Sequence, residues 1–297
     1  MAEKLTELRP LETDPEIAPI LPAADSVLEK HRTTPALPET LYHYTSLDAA
    51  VQILRSRKMW CSNVVYANDP AEATYGHSVL DDVAKTDPHL KLQGLRSVLA
   101  ELDCYIASFS GDGDLLPQWR AYCRNGRGVA LGVDAQVLRQ RGSLILARVI
   151  YKPAEQRQFV TDMMDVFRQP LLSAAGNASL LSRLVETLGL YLVIVRSALK
   201  SETYESEREY RLFDVLPADR SAHSTALGFR ASGGMVIPFF EADLTASTSE
   251  AAGQPFREVR VGPCLDVPLL QRSLKTFAVQ EQLRFSVTQS NVRMRCE

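Results

Sequence analysis

The chain has 297 residues, 45% of them hydrophobic, and a formal net charge of −3. That length and apolar content suffice for a full core, and the slightly acidic balance excludes an overall basic footprint, so any nucleic-acid contact must use a local patch. Five cysteines (Cys61, Cys104, Cys123, Cys264, Cys296) are odd in number, widely spaced and never in a C-x-x-C pair, which argues against a disulfide framework or a zinc knuckle and for a reducing compartment.

Residues 1–38 carry prolines and acids without sustained periodicity and read as an N-terminal extended arm with one short helix around Ala23–His31. The N-terminus lacks an apolar signal region, and no run of about 18 apolar residues follows, so the expected location is cytoplasmic with no membrane partner. A single α+β domain is expected over 39–297.

That domain opens with Leu41-Tyr42-His43-Tyr44, which alternates like a strand, after which Thr45 is placed to cap a helix with Asp48 three residues on. Leu47, Ala50, Val51 and Leu54 give the helix one apolar face, Arg57-Lys58 ends it, and Trp60 opens a loop. Asn68-Asp69-Pro70-Ala71-Glu72 reads as a turn and a helix start, with acids at the positive end of the helix dipole. Strands are expected at Cys104–Ser110, Gly128–Asp134 and Ile145–Tyr151, followed by a helical insertion of about 154–200. Further strands are expected at Glu207–Phe213, Met235–Phe239, Phe256–Gly262 and Leu283–Thr288, and a helix at Val267–Ala278. Ala218–Gly234 and Ala242–Gly253 read as surface loops. No regular βαβ alternation appears, so the class is mixed α+β, with a mostly antiparallel sheet core and flanking helices.

Three constellations could carry chemistry. His43, flanked by Tyr42, Tyr44 and Thr45 at a strand end, offers a hydrogen bond to a sugar hydroxyl and aromatic faces for a flat ring; the bland alternative is a structural histidine. Period-2 geometry puts Glu207, Glu209 and Arg211 on one strand face, where Arg211 would hold one carboxylate ionised while the other works on a substrate; the alternative is a solvated edge with paired charges. Trp119, Arg120 and Tyr122 could form a wall that stacks a base and binds phosphate, against the more ordinary reading of core packing beside a glycine turn. There is no G-x-G-x-x-G, Walker A loop, H-E-x-x-H or G-x-S-x-G motif, which excludes the dinucleotide, P-loop, zincin and hydrolase signatures.

The segments Tyr42-His43-Tyr44-Thr45-Ser46, Asn68-Asp69-Pro70-x-Glu72, Ser108-Phe109-Ser110, Trp119-x-x-Tyr122, Tyr151-Lys152, Lys200, Glu207-x-Glu209-x-Arg211 and Val261-Gly262-Pro263 resemble a bacterial domain-of-unknown-function family. The strand–His–Tyr–Thr–helix opening and the late glutamate strand also resemble ADP-ribosyltransferases, among them toxins that modify DNA. This second likeness implies an ADP-ribosyltransferase-like fold and NAD as substrate without a metal. It implies that His43 bonds a ribose, that Thr45 or Tyr44 supports the nucleotide, and that Glu207 or Glu209 stabilises the ribosyl cation. Tyr105 and Tyr122 are candidates for that superfamily's middle tyrosine, and Arg120 or Arg127 for a pyrophosphate contact. The expected cofactor-contacting set is Tyr42, Tyr44, Thr45, Asn68, Asp69, Trp119, Arg120, Tyr122 and Arg211. The acceptor is a nucleic acid or a protein, as in a toxin or phage-defence effector. Two alternatives stay open: a nucleic-acid hydrolase binding Mg²⁺ through Asp69, Glu72, Glu207 and Glu209, and a nucleotide-sensing module without turnover.

Overall fold

The computed structural model describes residues 13–33, 36–67, 72–86, 93–140, 144–217, 227–245 and 254–296. Its first strand, β1 (Thr40–Ser46), pairs antiparallel along its whole length with β4 (Gly128–Asp134), from Thr40 opposite Asp134 to Ser46 opposite Gly128. Strand β4 is apolar on both faces and correspondingly buried. Beyond it lie β9 (Phe256–Val261), antiparallel to β4, and β10 (Ser286–Gln289), parallel to β9.

The centre of the molecule is β3 (Leu102–Ser110). One edge pairs residue by residue with β6 (Glu209–Pro217), which in turn carries the short β5 (Ile145–Arg148). The other edge is shared. At its end Ser110 pairs with Tyr42 of β1, whereas Tyr105 and Ile106 pair with β2 (Lys58–Asn63). Strand β2 then leads to β8 (Met235–Asp243) and β7 (Gly228–Ser232). Every neighbouring pair except β9 and β10 is antiparallel, so the chain is α+β with a mixed, mostly antiparallel sheet. The sheet forks where β1 and β2 part along β3.

Two cores cover the sheet. On one face α1 (Leu21–Thr33), α3 (Glu72–Thr86), α4 (Gln93–Ala100), α7 (Pro153–Ser173) and α8 (Ala178–Ser197) pack over β3, β5 and β6. By length and composition α8 could cross a bilayer. Here it is a core helix: Leu184, Leu188 and Leu192 are fully covered, each burial contributing about 1.5–3 kcal/mol. On the other face α2 (Leu47–Ser56), α6 (Ala135–Arg139) and α9 (Val267–Gln280) close the second core. Helix α5 (Leu116–Tyr122) lies against β1.

Several expectations are corrected. The expected N-terminal helix forms, but it is no free arm: Ile17, Ala24 and Leu28 are buried, and Lys30 and His31 both reach Asp162 of α7. Ser46, not Thr45, caps α2, its hydroxyl accepting from the Ala49 amide at 3.3 Å, because Thr45 is still held in the ladder opposite Val129. Trp60 lies within β2 rather than in a loop, stacked on Phe239 at 4.3 Å. Residues 228–232, expected in a loop, form β7, since Gly233 and Gly234 take positive φ (58° and 78°) and close a hairpin with β8. Cys264 and Cys296 are joined by a disulfide with Cα atoms 5.4 Å apart, a pairing not expected from an odd, widely spaced set read as belonging to a reducing compartment. Spacing along the chain did not show that the C-terminal tail returns to Cys264.

Candidate functional site

The charged motif at the start of β6 does not form the uninterrupted strand expected. Glu202–Glu207 is a 3₁₀ turn, and Arg208, with φ 48°, breaks the extended run before Glu209 enters β6. The two glutamates nevertheless meet on one cation. Lys200 Nζ, presented just beyond the end of α8, donates to Glu207 at 2.6 Å and to Glu209 at 3.0 Å. Arg211, two residues along the same strand face, donates from Nε to Glu209 at 2.8 Å and from Nη2 at 3.2 Å, while its Nη1 reaches the Ser197 carbonyl at 2.9 Å.

Neutral groups complete the cluster. Ser108, opposite Arg211 in the ladder, lies on the same face and its hydroxyl favours the ionised Glu209, the Glu209 amide donates to the Tyr151 hydroxyl at 2.8 Å, and the Ser110 hydroxyl donates to the Glu207 carbonyl at 2.7 Å. Gln156 Nε2 holds the Lys200 and Ile150 carbonyls at 2.8 Å each, and the Lys200 ammonium sits 4.8 Å over the Tyr204 ring.

Two carboxylates thus face two cations in a site where Arg211 is 1% and Glu209 5% exposed. A solvated edge is thereby excluded. Burial alone would raise the Glu209 carboxyl, but Arg211, then Lys200, outweigh it and hold the group at about 2. Glu207 is the more open of the pair, its side chain 16% exposed. On the helical side, a cavity of about 390 Å³ reaches Arg211 and is also lined by His77, Asp103, Arg196 and Ser197.

His43 sits at the fork. Its Nδ1–H donates to the Ser108 carbonyl at 2.9 Å, and its ring lies 5.8 Å from that of Phe109. Burial lowers its pKa, partly offset by the Ser108 carbonyl, so the imidazole is neutral near pH 7 with Nε2 as acceptor. Strand alternation sets Ser108, Ser110, Glu209 and Arg211 on one face of the sheet and Phe109 and Tyr210 on the other. His43 is on the Phe109 side. It and Glu209 therefore do not touch; they approach β3 from opposite faces, His43 bonding the Ser108 carbonyl and Glu209 lying on the side of the Ser108 hydroxyl.

The aromatic residues separate. Tyr42 shares the face of Ser110, donates to Glu258 at 2.9 Å and has the Arg260 guanidinium 5.4 Å from its ring centre. A Cβ on Gly113 would lie 2.5 Å from the Tyr42 ring, so the backbone closes in there too and leaves little room for a flat ligand. Tyr44 is core: its ring meets Trp119 edge-on at 4.9 Å, and its hydroxyl donates to the Asp112 carbonyl and accepts from the Leu115 amide. Trp119 has no exposed surface and donates to Asp114 at 2.8 Å, whereas Arg120 and Tyr122 point outward from α5, so the three form no common wall. Tyr105 is buried against Phe240, and Thr45 shares the His43 face of β1. Asn68 and Asp69 lie outside the described residues, as does the Glu72 side chain. Among the described residues no group of three or more His, Cys, Asp or Glu is placed to hold a metal ion, and a cation at Glu207 and Glu209 would have to displace Lys200.

Trp119, Tyr151, Lys200, Glu207, Glu209 and Arg211 all lie in the stretch that builds most of the cluster. Residues 118–212 match the model of a family described as a protein of unknown function, DUF2971. The match supports the expected kinship with a domain-of-unknown-function family and spans roughly a third of the chain. No curated protein and no solved structure matches. The matched segment supplies the helix pair, Tyr151, Lys200 and the Glu-x-Arg strand; Ser108, Ser110 and His43 come to it from earlier in the chain. Sequence reading gave no role to Lys200, Ser108 or Tyr151. The available signal was a lysine closing a long apolar helix a few residues before an acidic run.

Proposed function

We propose that this protein catalyses NAD-dependent glycosyl transfer in the manner of an ADP-ribosyltransferase, with Glu207 as the working carboxylate. One observation carries the reading: Lys200 gathers Glu207 and Glu209 at the start of β6, next to the fork of the sheet where His43, far away in sequence, bonds the Ser108 carbonyl from the other face. In such a reaction the bond between ribose C1′ and the nicotinamide nitrogen breaks, and its electron pair leaves with the neutral pyridine. The cationic sugar centre is then stabilised by a fixed carboxylate and captured by the acceptor's nucleophile. Glu209 is committed to Arg211 and serves to position the cluster. Glu207, at the more open edge and paired with Lys200, is the carboxylate assigned to the sugar. His43, neutral with Nε2 as acceptor, suits a ribose hydroxyl donor at the fork.

The test is nicotinamide release from NAD by the full chain, with and without EDTA, in the presence of nucleic-acid and protein acceptors. Glu207→Gln is expected to lower release by about 100-fold or more, the scale of removing one electrostatic group from a reacting centre, with an unchanged unfolding midpoint. His43→Ala is expected to cost about 10-fold. Release that Glu207→Gln leaves intact would overturn the assignment, and no release with any acceptor would leave binding without turnover as the function.

A further inference from the structure

We infer that α5, the turn into β4 and the C-terminal tail form a binding surface for the phosphate backbone of single-stranded nucleic acid. The inference does not depend on the transferase reading. It starts from a charge pattern that the overall balance of −3 conceals. Arg120 in the last turn of α5, then Arg124 and Arg127, are all exposed, as are Arg293 and Arg295 of the tail, and Tyr122 is 40% exposed among them.

The tail is brought there by specific contacts. The Ser290 amide donates to the Val261 carbonyl at 2.9 Å, and the Asn291 amide to Asp114 at 2.7 Å. Val292 packs on the small core around Trp119, Met294 abuts Gly126, and Cys296 is bonded to Cys264. Residues 292, 294 and 296 are thus pinned to the body, and the intervening Arg293 and Arg295 remain exposed. The turn opposite is equally fixed. Arg124, Asn125 and Gly126 all take positive φ, the Gly126 amide donates to the Trp119 carbonyl at 2.9 Å, and its carbonyl accepts from the Cys264 amide at 3.1 Å. A Cβ on Gly262 would lie 2.5 Å from that carbonyl, so tail, turn and β9 form one rigid unit.

The chemistry favours phosphate. All five cations are arginines, whose planar forks match phosphate oxygens bidentately, and the exposed Tyr122 offers a stacking face to an unpaired base. The acids in reach compete weakly. Asp48 pairs with Arg124 at 3.2 Å with both side chains largely exposed, and Asp266 is engaged in capping α9.

The experiment measures anisotropy of a labelled single-stranded oligonucleotide against the full oxidised chain, without NAD, over a salt series. Binding should weaken with salt. The triple change Arg120→Ala, Arg124→Ala, Arg127→Ala should weaken it at least 10-fold and flatten the slope of log K against log salt by about 2, at roughly 0.7 per phosphate contact. Tyr122→Ala should weaken it about 10-fold with the slope unchanged. Arg293→Ala with Arg295→Ala should cost a further portion, matched by reduction of the disulfide in the wild type. The control is Arg272→Ala with Lys275→Ala on α9, expected to change nothing. Wild-type binding that survives the triple change, equal affinity for polyglutamate or anionic vesicles, or indifference to Tyr122→Ala with equal affinity for duplex overturns the inference. Because this readout needs no turnover, its failure is separable from failure of nicotinamide release.

Discussion

Replacing Arg211 with alanine is expected to cost the fold about 3–5 kcal/mol, read as a drop in the urea midpoint at pH 7, because the change strands a buried carboxylate. Glu209 loses a two-pronged partner and keeps only the single ammonium of Lys200, which it already shares with Glu207. The Ser197 carbonyl at the end of α8 also loses its donor, so the helical layer is loosened from the sheet at the same point. Arg211→Lys keeps a charge but not the fork, and should fall between alanine and wild type.

The pH dependence follows from the same group. Glu209 is held at about 2, below its ordinary 4.5, so its contribution is fully present above 4.5 and is lost as pH falls from there towards 2. The stability lost over that window is roughly 3 kcal/mol. In Arg211→Ala the carboxyl is less depressed, and less stability remains to lose to acid. Urea midpoints at pH 7, 5 and 3 for both proteins check the sign. A variant within about 0.5 kcal/mol of wild type at pH 7 would mean that the cluster is solvated and the ion pair inconsequential.

Trp119→Ala is expected to destabilise by about 3–5 kcal/mol through loss of a fully buried indole. The indole also donates to Asp114, which in turn holds Ser290 and the Asn291 amide, so the C-terminal tail should loosen in the same variant. Trp119→Phe refills most of the volume but removes the donor, and should cost about 1–3 kcal/mol. Tyr122→Ala, three residues on and facing outward, should stay within about 0.5 kcal/mol of wild type. Thermal and urea unfolding of the three variants decides the question. A stable Trp119→Ala protein would return that ring to the role of a ligand wall.

The sequence alone determined most elements whose side chains alternate with one clear period. Strand β4, apolar at every step up to Asp134, was legible to its ends, and the apolar face of α2 was plain because burial of one helix face leaves its spacing in the chain; the helical insertion that holds α7 and α8 was legible as helix. It also singled out Glu207, Glu209 and Arg211 as a unit, since a run of charges beside apolar strands needs an explanation wherever it folds. The short helices α4, α5 and α6 escaped, because fewer than three turns leave too little periodicity to read. Strand β7 escaped because its Gly-Gly turn resembles a loop until its partner strand is seen.

Tertiary structure alone decided how these parts meet. Arg208, in a left-handed conformation, interrupts the strand that alternation implied, yet Lys200 draws both glutamates together from its place beyond α8. His43 and Glu209 were candidates for one site, and the register of β1, β3 and β6 puts them on opposite faces with Ser108 between. Whether Trp119 lines a site or fills a core depended on which side of α5 meets β1, and a helix of two turns does not declare that. Nor could the cysteine count show that Cys296 returns to Cys264. Local spacing records which residues are buried, because burial acts on each element separately; which buried charges become partners is fixed only when distant strands and helices close on one another.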